Sequence, residues 1–180
     1  MASVIDALNR AVGALAIAAN ACGTLVVLAL VLLVNYDVVA RGVFSAPFLG
    51  AVEVVQFSMV LIVFLQLPDV CRVNRLTRSD GFLVVLGDRH PGAARVLRSI
   101  INLISGVLMV LIAVAIWPEF VKMFESKDYF GVPGVFTAPW WPLKLTIFAS
   151  AVLCAAIFFL KLVLPVPKAP LVRLSESEDA

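Results

Sequence analysis

The sequence predicts an all-α integral membrane protein with four transmembrane helices, and three observations carry that prediction. Hydrophobic residues are 62% of the 180-residue chain and charged residues 14%, against about 45–50% and about 25% in soluble domains. The apolar residues fall in charge-free blocks long enough to cross a bilayer. The basic residues gather beside those blocks, where charge sets membrane orientation.

The first span is expected at about residues 11–40. Its charge-free run, residues 11–36, is too long for the apolar region of a secretory signal, about 7–15 residues, so it reads as a retained anchor. As helix the span would be about 45 Å long against an apolar slab of about 30 Å, so it must tilt or protrude. Ala14 and Ala18, Ala18 and Cys22, and Ala19 and Gly23 are spaced four apart. That spacing lets helices approach closely, and the face is expected to pack on protein.

The second span is expected at 51–67, ending at Pro68, which cannot donate a helical hydrogen bond and crowds the preceding turn. The short connection from the first span makes the pair an antiparallel hairpin. Residues 69–99 then mix Arg72, Arg75, Arg78, Arg89, Arg95 and Arg98 with a small apolar cluster at 82–86. Too short to span, the cluster reads as an amphipathic segment in the membrane interface, with a soluble loop as the alternative.

The third span is expected at 99–117. Its helix can begin at Pro91, since proline suits a first turn, and continue with a kink past Pro118. Residues 119–142 read as a substantial loop, punctuated by Gly131, Pro133, Gly134 and Pro139, with Trp140 and Trp141 at headgroup level. The fourth span, 141–164, stops before Pro165 and Pro167. Residues 1–165 thus form one membrane domain, and 166–180, ending SESEDA, a disordered polar tail.

Orientation follows from counting Lys and Arg. Arg10, the six central arginines, Lys161, Lys168 and Arg173 face one side; Arg41, Lys122, Lys127 and Lys144 face the other. Ten against four puts both termini in the cytoplasm.

Composition and spacing also exclude chemistries. A net charge of +2 is too small to point to nucleic acid. Cys22, Cys71 and Cys154 are scattered without a CxxC pair, and His90 is the one histidine, so no metal or haem ligand set is expected and the cysteines read as buried packing residues. No nucleophile with a base at workable spacing is visible, and no cofactor, metal or enzymatic activity is expected. Asp37, Arg41, Glu53, Asp69, Glu119, Lys144 and Lys161 all fall near span ends rather than at a midplane, where a transporter's own ion path would keep its charges. The chain reads as a structural partner of another machine.

Two polar features remain. Asp37 and Arg41 are four apart at the end of the first span, acid first, the favourable order for a helical pair. Glu53 opens the second helix, where the dipole favours negative charge. Helix-end solvation and capping explain both; alternatively residues 41–53 form an outward docking surface, with Arg41 and Glu53 pairing to each other or to a partner.

The segment NYDVVARGVFSAPFLGAVEVVQF resembles the first hairpin of the small permease subunit of tripartite ATP-independent periplasmic (TRAP) transporters, the DctQ type. The family's R-x-x-F-x-x-P element followed by a glutamate is matched by Arg41, Phe44, Pro47 and Glu53. Its His-Ile-x-Val-Asp-like stretch lies over Leu76, Thr77, Arg78, Ser79 and Asp80, with the histidine replaced by Leu76 and the aspartate kept. Gly131, Pro133, Trp140, Trp141 and Pro142 are similar to its Trp-rich approach to the last helix. The likeness covers about residues 10–165.

The resemblance implies a non-catalytic scaffold for a large permease subunit of the DctM type in a bacterial inner membrane. A periplasmic substrate-binding protein would serve the pair, and uptake of an organic acid would be coupled to sodium through an elevator motion of the large subunit. Asp37, Arg41, Phe44, Pro47, Glu53, Asp80, Trp140 and Trp141 are then the expected docking or interface residues. The competing reading is a self-sufficient four-helix homo-oligomeric transporter, for which a carboxylate inside the first span would be wanted and is missing from residues 11–36.

Overall fold

Each long apolar block folds into a helix, and the first three helices extend past their apolar runs. The structure, a computed structural model, describes residues 2–73, 91–132 and 136–163. In chain order these form α1 (Ala2–Phe44), α2 (Ala51–Arg72), α3 (Pro91–Ser126), β1 (Tyr129–Val132), β2 (Phe136–Pro139) and α4 (Trp141–Val163). All four helices are long and apolar enough to cross a membrane. The expected interfacial segment at 82–86, His90 and the tail at 166–180 lie outside the described residues.

The helices pack in the lateral order α1, α2, α4, α3, with α1 touching α4 only lightly. The last helix in sequence, α4, is therefore an inner one, flanked by α2 and α3, and it carries the most buried stripe: Leu143, Ile147, Ser150, Cys154 and Phe158 among others. One apolar cluster joins Val12 and Ala16 of α1, Cys71 of α2, and Cys154, Ile157, Phe158 and Leu160 of α4.

Small residues set how closely neighbours approach. A Cβ on Gly23 would stand 2.9 Å from Gln66 Cγ and 3.2 Å from Leu65 Cβ, so α1 and α2 touch there without a side chain between them. A Cβ on Gly106 would similarly stand 3.3 Å from the Phe159 ring, between α3 and α4. Of the small-residue pairs in α1, Ala19 and Gly23 face protein. Ala14, Ala18 and Cys22 are exposed. Cys71 and Cys154 are buried as expected, whereas Cys22 is not.

Two expected boundaries are corrected. Helix α2 does not stop at Pro68 but runs one turn further, to Arg72. The proline costs the turn a hydrogen bond, yet its ring is fully buried and the extra turn is held from outside. Val73 N–H donates to the Asp69 carbonyl at 2.9 Å, Lys161 Nζ of α4 donates to the Cys71 carbonyl at 2.5 Å, and the Asp69 side chain is bonded to α1. Orphan carbonyls at a helix end are thereby satisfied by a cation, which the dipole also favours there.

The described residues of the expected loop at 119–142 lie largely in helix and strand. Helix α3 passes Pro118 and continues to Ser126, where Lys127 takes a left-handed φ of 52°. Aromatic contacts extend it: Trp117 packs on Phe148 (centroids 5.1 Å) and Phe120, and Phe120 on Phe124. The antiparallel hairpin β1–β2 follows, with Tyr129 opposite Pro139 and Gly131 opposite Thr137. Among the described residues the fold is thus all-helical apart from one short hairpin.

Because Gly23 has no room and Gly42 has nothing within 4 Å, the two sites should respond differently to added bulk. Gly23→Leu is expected to lower the stability of the purified protein by about 1–3 kcal/mol through overpacking. Gly42→Ala should leave it unchanged or raise it by up to about 1 kcal/mol. Thermal melts in detergent would read both, and equal melts would refute the close-approach role of Gly23.

Candidate docking site

The loop between α1 and α2 is organised by one carboxylate. Ser45, with φ 52°, stops α1 by taking the left-handed conformation, and Gly50, with φ 97°, does the same just before α2. The second position favours glycine because a side chain at that φ meets the backbone. Ala46 N–H returns to the Ala40 carbonyl at 3.2 Å, Ala51 N–H to Phe48 O at 3.2 Å, and Val54 N–H to Gly50 O at 3.0 Å. Asp37 then ties this turn to the helix below it. Its Oδ1 accepts the Phe48 backbone N–H at 2.8 Å, and its Oδ2 accepts Arg41 Nη2 at 2.9 Å.

The expected i,i+4 pair between Asp37 and Arg41 is therefore present, but it is lopsided. The Asp37 side chain is 12% exposed and that of Arg41 65%. Asp37 is a structural clip, and most of the guanidinium remains available. Arg41 pairs with Asp37 rather than with Glu53, and Glu53, half-buried in the first turn of α2, makes no ion pair among the described residues. Phe44 and Pro47 are exposed around the same turn.

Trp140 and Trp141 stand at the same end of the bundle. The Phe130 ring of β1 bridges Phe57 of α2 (6.1 Å) and Trp140 (5.1 Å, edge-on), so the hairpin straps α2 to the start of α4. Trp141 meets Phe124 edge-on at 6.2 Å, and Lys144 Nζ reaches Glu119 at 3.4 Å. Of the eight expected residues, Asp37, Arg41, Phe44, Pro47 and Glu53 thus sit in or beside the α1–α2 turn, and Trp140 on the hairpin end that is strapped to α2. Trp141 faces α3, and Asp80 lies outside the described residues.

A second polar site escaped the sequence reading. Asp69 accepts Asn20 Nδ2 from α1 on Oδ2 at 2.9 Å, and Arg72 on Oδ1, Nε at 2.9 Å and Nη2 at 2.8 Å. Asn20 is about 15 Å along α1 from Arg10 and about 25 Å from Asp37, so Asp69 lies deeper than its place beside Pro68 implied. The available signal was Asn20 itself, an amide within a charge-free run.

Losing Asp37 should leave the Phe48 N–H without its acceptor and open the turn. Asp37→Ala is expected to cost about 1–3 kcal/mol, with faster amide exchange at residues 45–50. Arg41→Ala should cost no more than about 1 kcal/mol, since its end of the pair is solvated. A hydrogen-exchange comparison in which both variants leave the turn equally protected would contradict the clip.

The family model for the DctQ component of tripartite ATP-independent periplasmic transporters matches residues 30–167. No curated protein and no solved structure matches the chain. The matched stretch holds the Asp37 turn, the second, third and fourth helices and the Trp140 corner, so that the chain belongs to the DctQ family and is the small membrane component of a TRAP transporter, a non-enzymatic, multi-pass membrane protein.

Proposed function

We propose that this component is a static scaffold for the large, DctM-type permease subunit in a bacterial inner membrane, with both termini cytoplasmic. Residues 1–165 serve as the membrane domain and the following 15 residues as a polar cytoplasmic tail. Transport itself belongs to the partner, which takes an organic acid from a periplasmic binding protein with sodium as coupling ion. The bias of ten basic residues against four supports the orientation. The substrate class and the ion rest on the family.

The observation that carries the scaffold reading is where the polar groups go. Asp37, Asp69 and Lys161 each hold a turn or join two helices. In contrast, the cavity between α3 and α4, about 390 Å³, is lined by Val110, Ala113, Val114, Trp117, Phe148, Val152 and Ala155. An organic anion or a sodium ion finds no ligand on such a wall, since burying either unpaired is costly. The turn with Arg41, Phe44, Pro47 and Glu53 then supplies an exposed cation, two exposed apolar groups and a carboxylate for docking, with Asp80 and the Trp140–Trp141 corner as further interface positions.

Purification through a C-terminal tag from gently solubilised native membranes should recover the large permease subunit in equal amount. A clean homo-oligomer of this chain would instead favour the self-sufficient transporter. With the complex in hand, Arg41→Ala and Glu53→Ala are expected to reduce substrate uptake or the yield of complex several-fold while leaving membrane insertion intact. Wild-type uptake and yield in both variants would remove the docking role of this turn.

A further inference from the structure

We propose that one side of α1, marked by Gly13, Asn20, Thr24 and Asn35, is the surface against which a transmembrane helix of the large TRAP component packs, joined to it by side-chain hydrogen bonds. The proposal rests on the scaffold reading above and adds the face on which the partner sits. Three of the four positions precede residue 30, where the family match begins.

The spacing places these residues together. At about 100° per residue, positions 13, 20, 24 and 35 fall within about 60° of one another around the helix. Thr24 is at the middle of the charge-free run, about 20 Å along the axis from both Arg10 and Asp37. Thr24 and Asn35 are exposed, and Gly13 and Asn20 are half-buried. The stem of Arg72 lies along the same side, its Cδ 3.8 Å from where a Cβ on Gly13 would stand, and the Arg72 side chain is 38% exposed.

The internal hydrogen bonds use only part of what these groups offer. Thr24 Oγ1 donates to the Asn20 carbonyl at 2.9 Å, and Asn35 Nδ2 donates to the Val31 carbonyl at 2.7 Å. The lone pairs of the threonine hydroxyl, and the oxygen and second N–H of the Asn35 amide, have no partner among the described residues. Acyl chains offer nothing to the Thr24 hydroxyl at the middle of the run, whereas a protein helix bearing hydroxyl or amide side chains does. The outward face of α3 is of the opposite kind: Leu103, Ile104, Val107, Leu108, Leu111 and Ile112 are exposed and wholly aliphatic, the composition that lipid tails solvate.

The test is site-specific photo-cross-linking in the assembled transporter. A benzophenone amino acid replaces Thr24 or Asn35 in one set and Leu108 or Ile112 in the other; membranes are irradiated, and adducts are identified by mass spectrometry. Adducts whose peptides come from the large component are expected at positions 24 and 35 and not at 108 and 112. The pair Thr24→Val with Asn35→Leu should lower recovery of the large component several-fold at an unchanged level of this chain. Adducts to the large component from α3 alone, adducts between two copies of this chain at position 24, or lipid adducts alone at 24 and 35 within an intact complex would each overturn the assigned face and leave the scaffold reading standing. Failure of the large component to co-purify at all would overturn both.

Discussion

The carboxylate of Asp69 holds the arrangement of three helices in place. It accepts from Asn20 on α1 and from Arg72 on its own helix, and it sits in a turn that proline chemistry alone would have ended. With the turn in place, Cys71 meets Cys154 within the shared cluster and its carbonyl receives Lys161. The Asp69 side chain is 17% exposed, so its charge is partly desolvated. Such a group stabilises the fold only while its donors stay put, because removing one leaves a buried charge uncompensated. The register of α1 on α2, the length of α2 and the seat of α4 are consequently one linked choice.

That linkage explains what could be read in advance. Four spans, their order and the helical start at Pro91 follow from the run lengths of apolar residues and from proline's fixed φ, both local properties. The extra turn after Pro68 does not, because what sustains it comes from Asn20 and Lys161, 49 and 90 residues away in sequence. The stretch 119–142 reads as loop in the sequence for a similar reason. Its glycines and prolines do interrupt helix, but Trp117, Phe120 and Phe124 lie on one side of α3 and are completed by Phe148 and Trp141 of α4. Helix ends are visible one helix at a time; offsets between helices are not.

The turn between α1 and α2 shows the same division. An aspartate four residues before an arginine announces a helical pair, and the pair is there. The second oxygen of Asp37 takes the backbone N–H of Phe48, a donor that no side-chain pattern reveals, and this is why the acid is buried while its arginine partner stays largely exposed. Glu53 makes no ion pair among the described residues for the same geometric reason, since Arg41 is already held back toward its own helix. The Trp140 corner was placed by aromatic composition, but its attachment to α2 runs through Phe130 and Phe57, two rings with nothing in their local sequence to single them out.

The two aspartate clips grip α1 at points about 25 Å apart, and in mechanical terms this makes the helix a beam held at two supports rather than a rod on a single hinge. A beam so mounted cannot pivot: a sideways push on its exposed flank is met as bending, which an α-helix resists, and is passed to α2 and α4 together. A neighbour sliding along that flank would therefore work against a stiff rail.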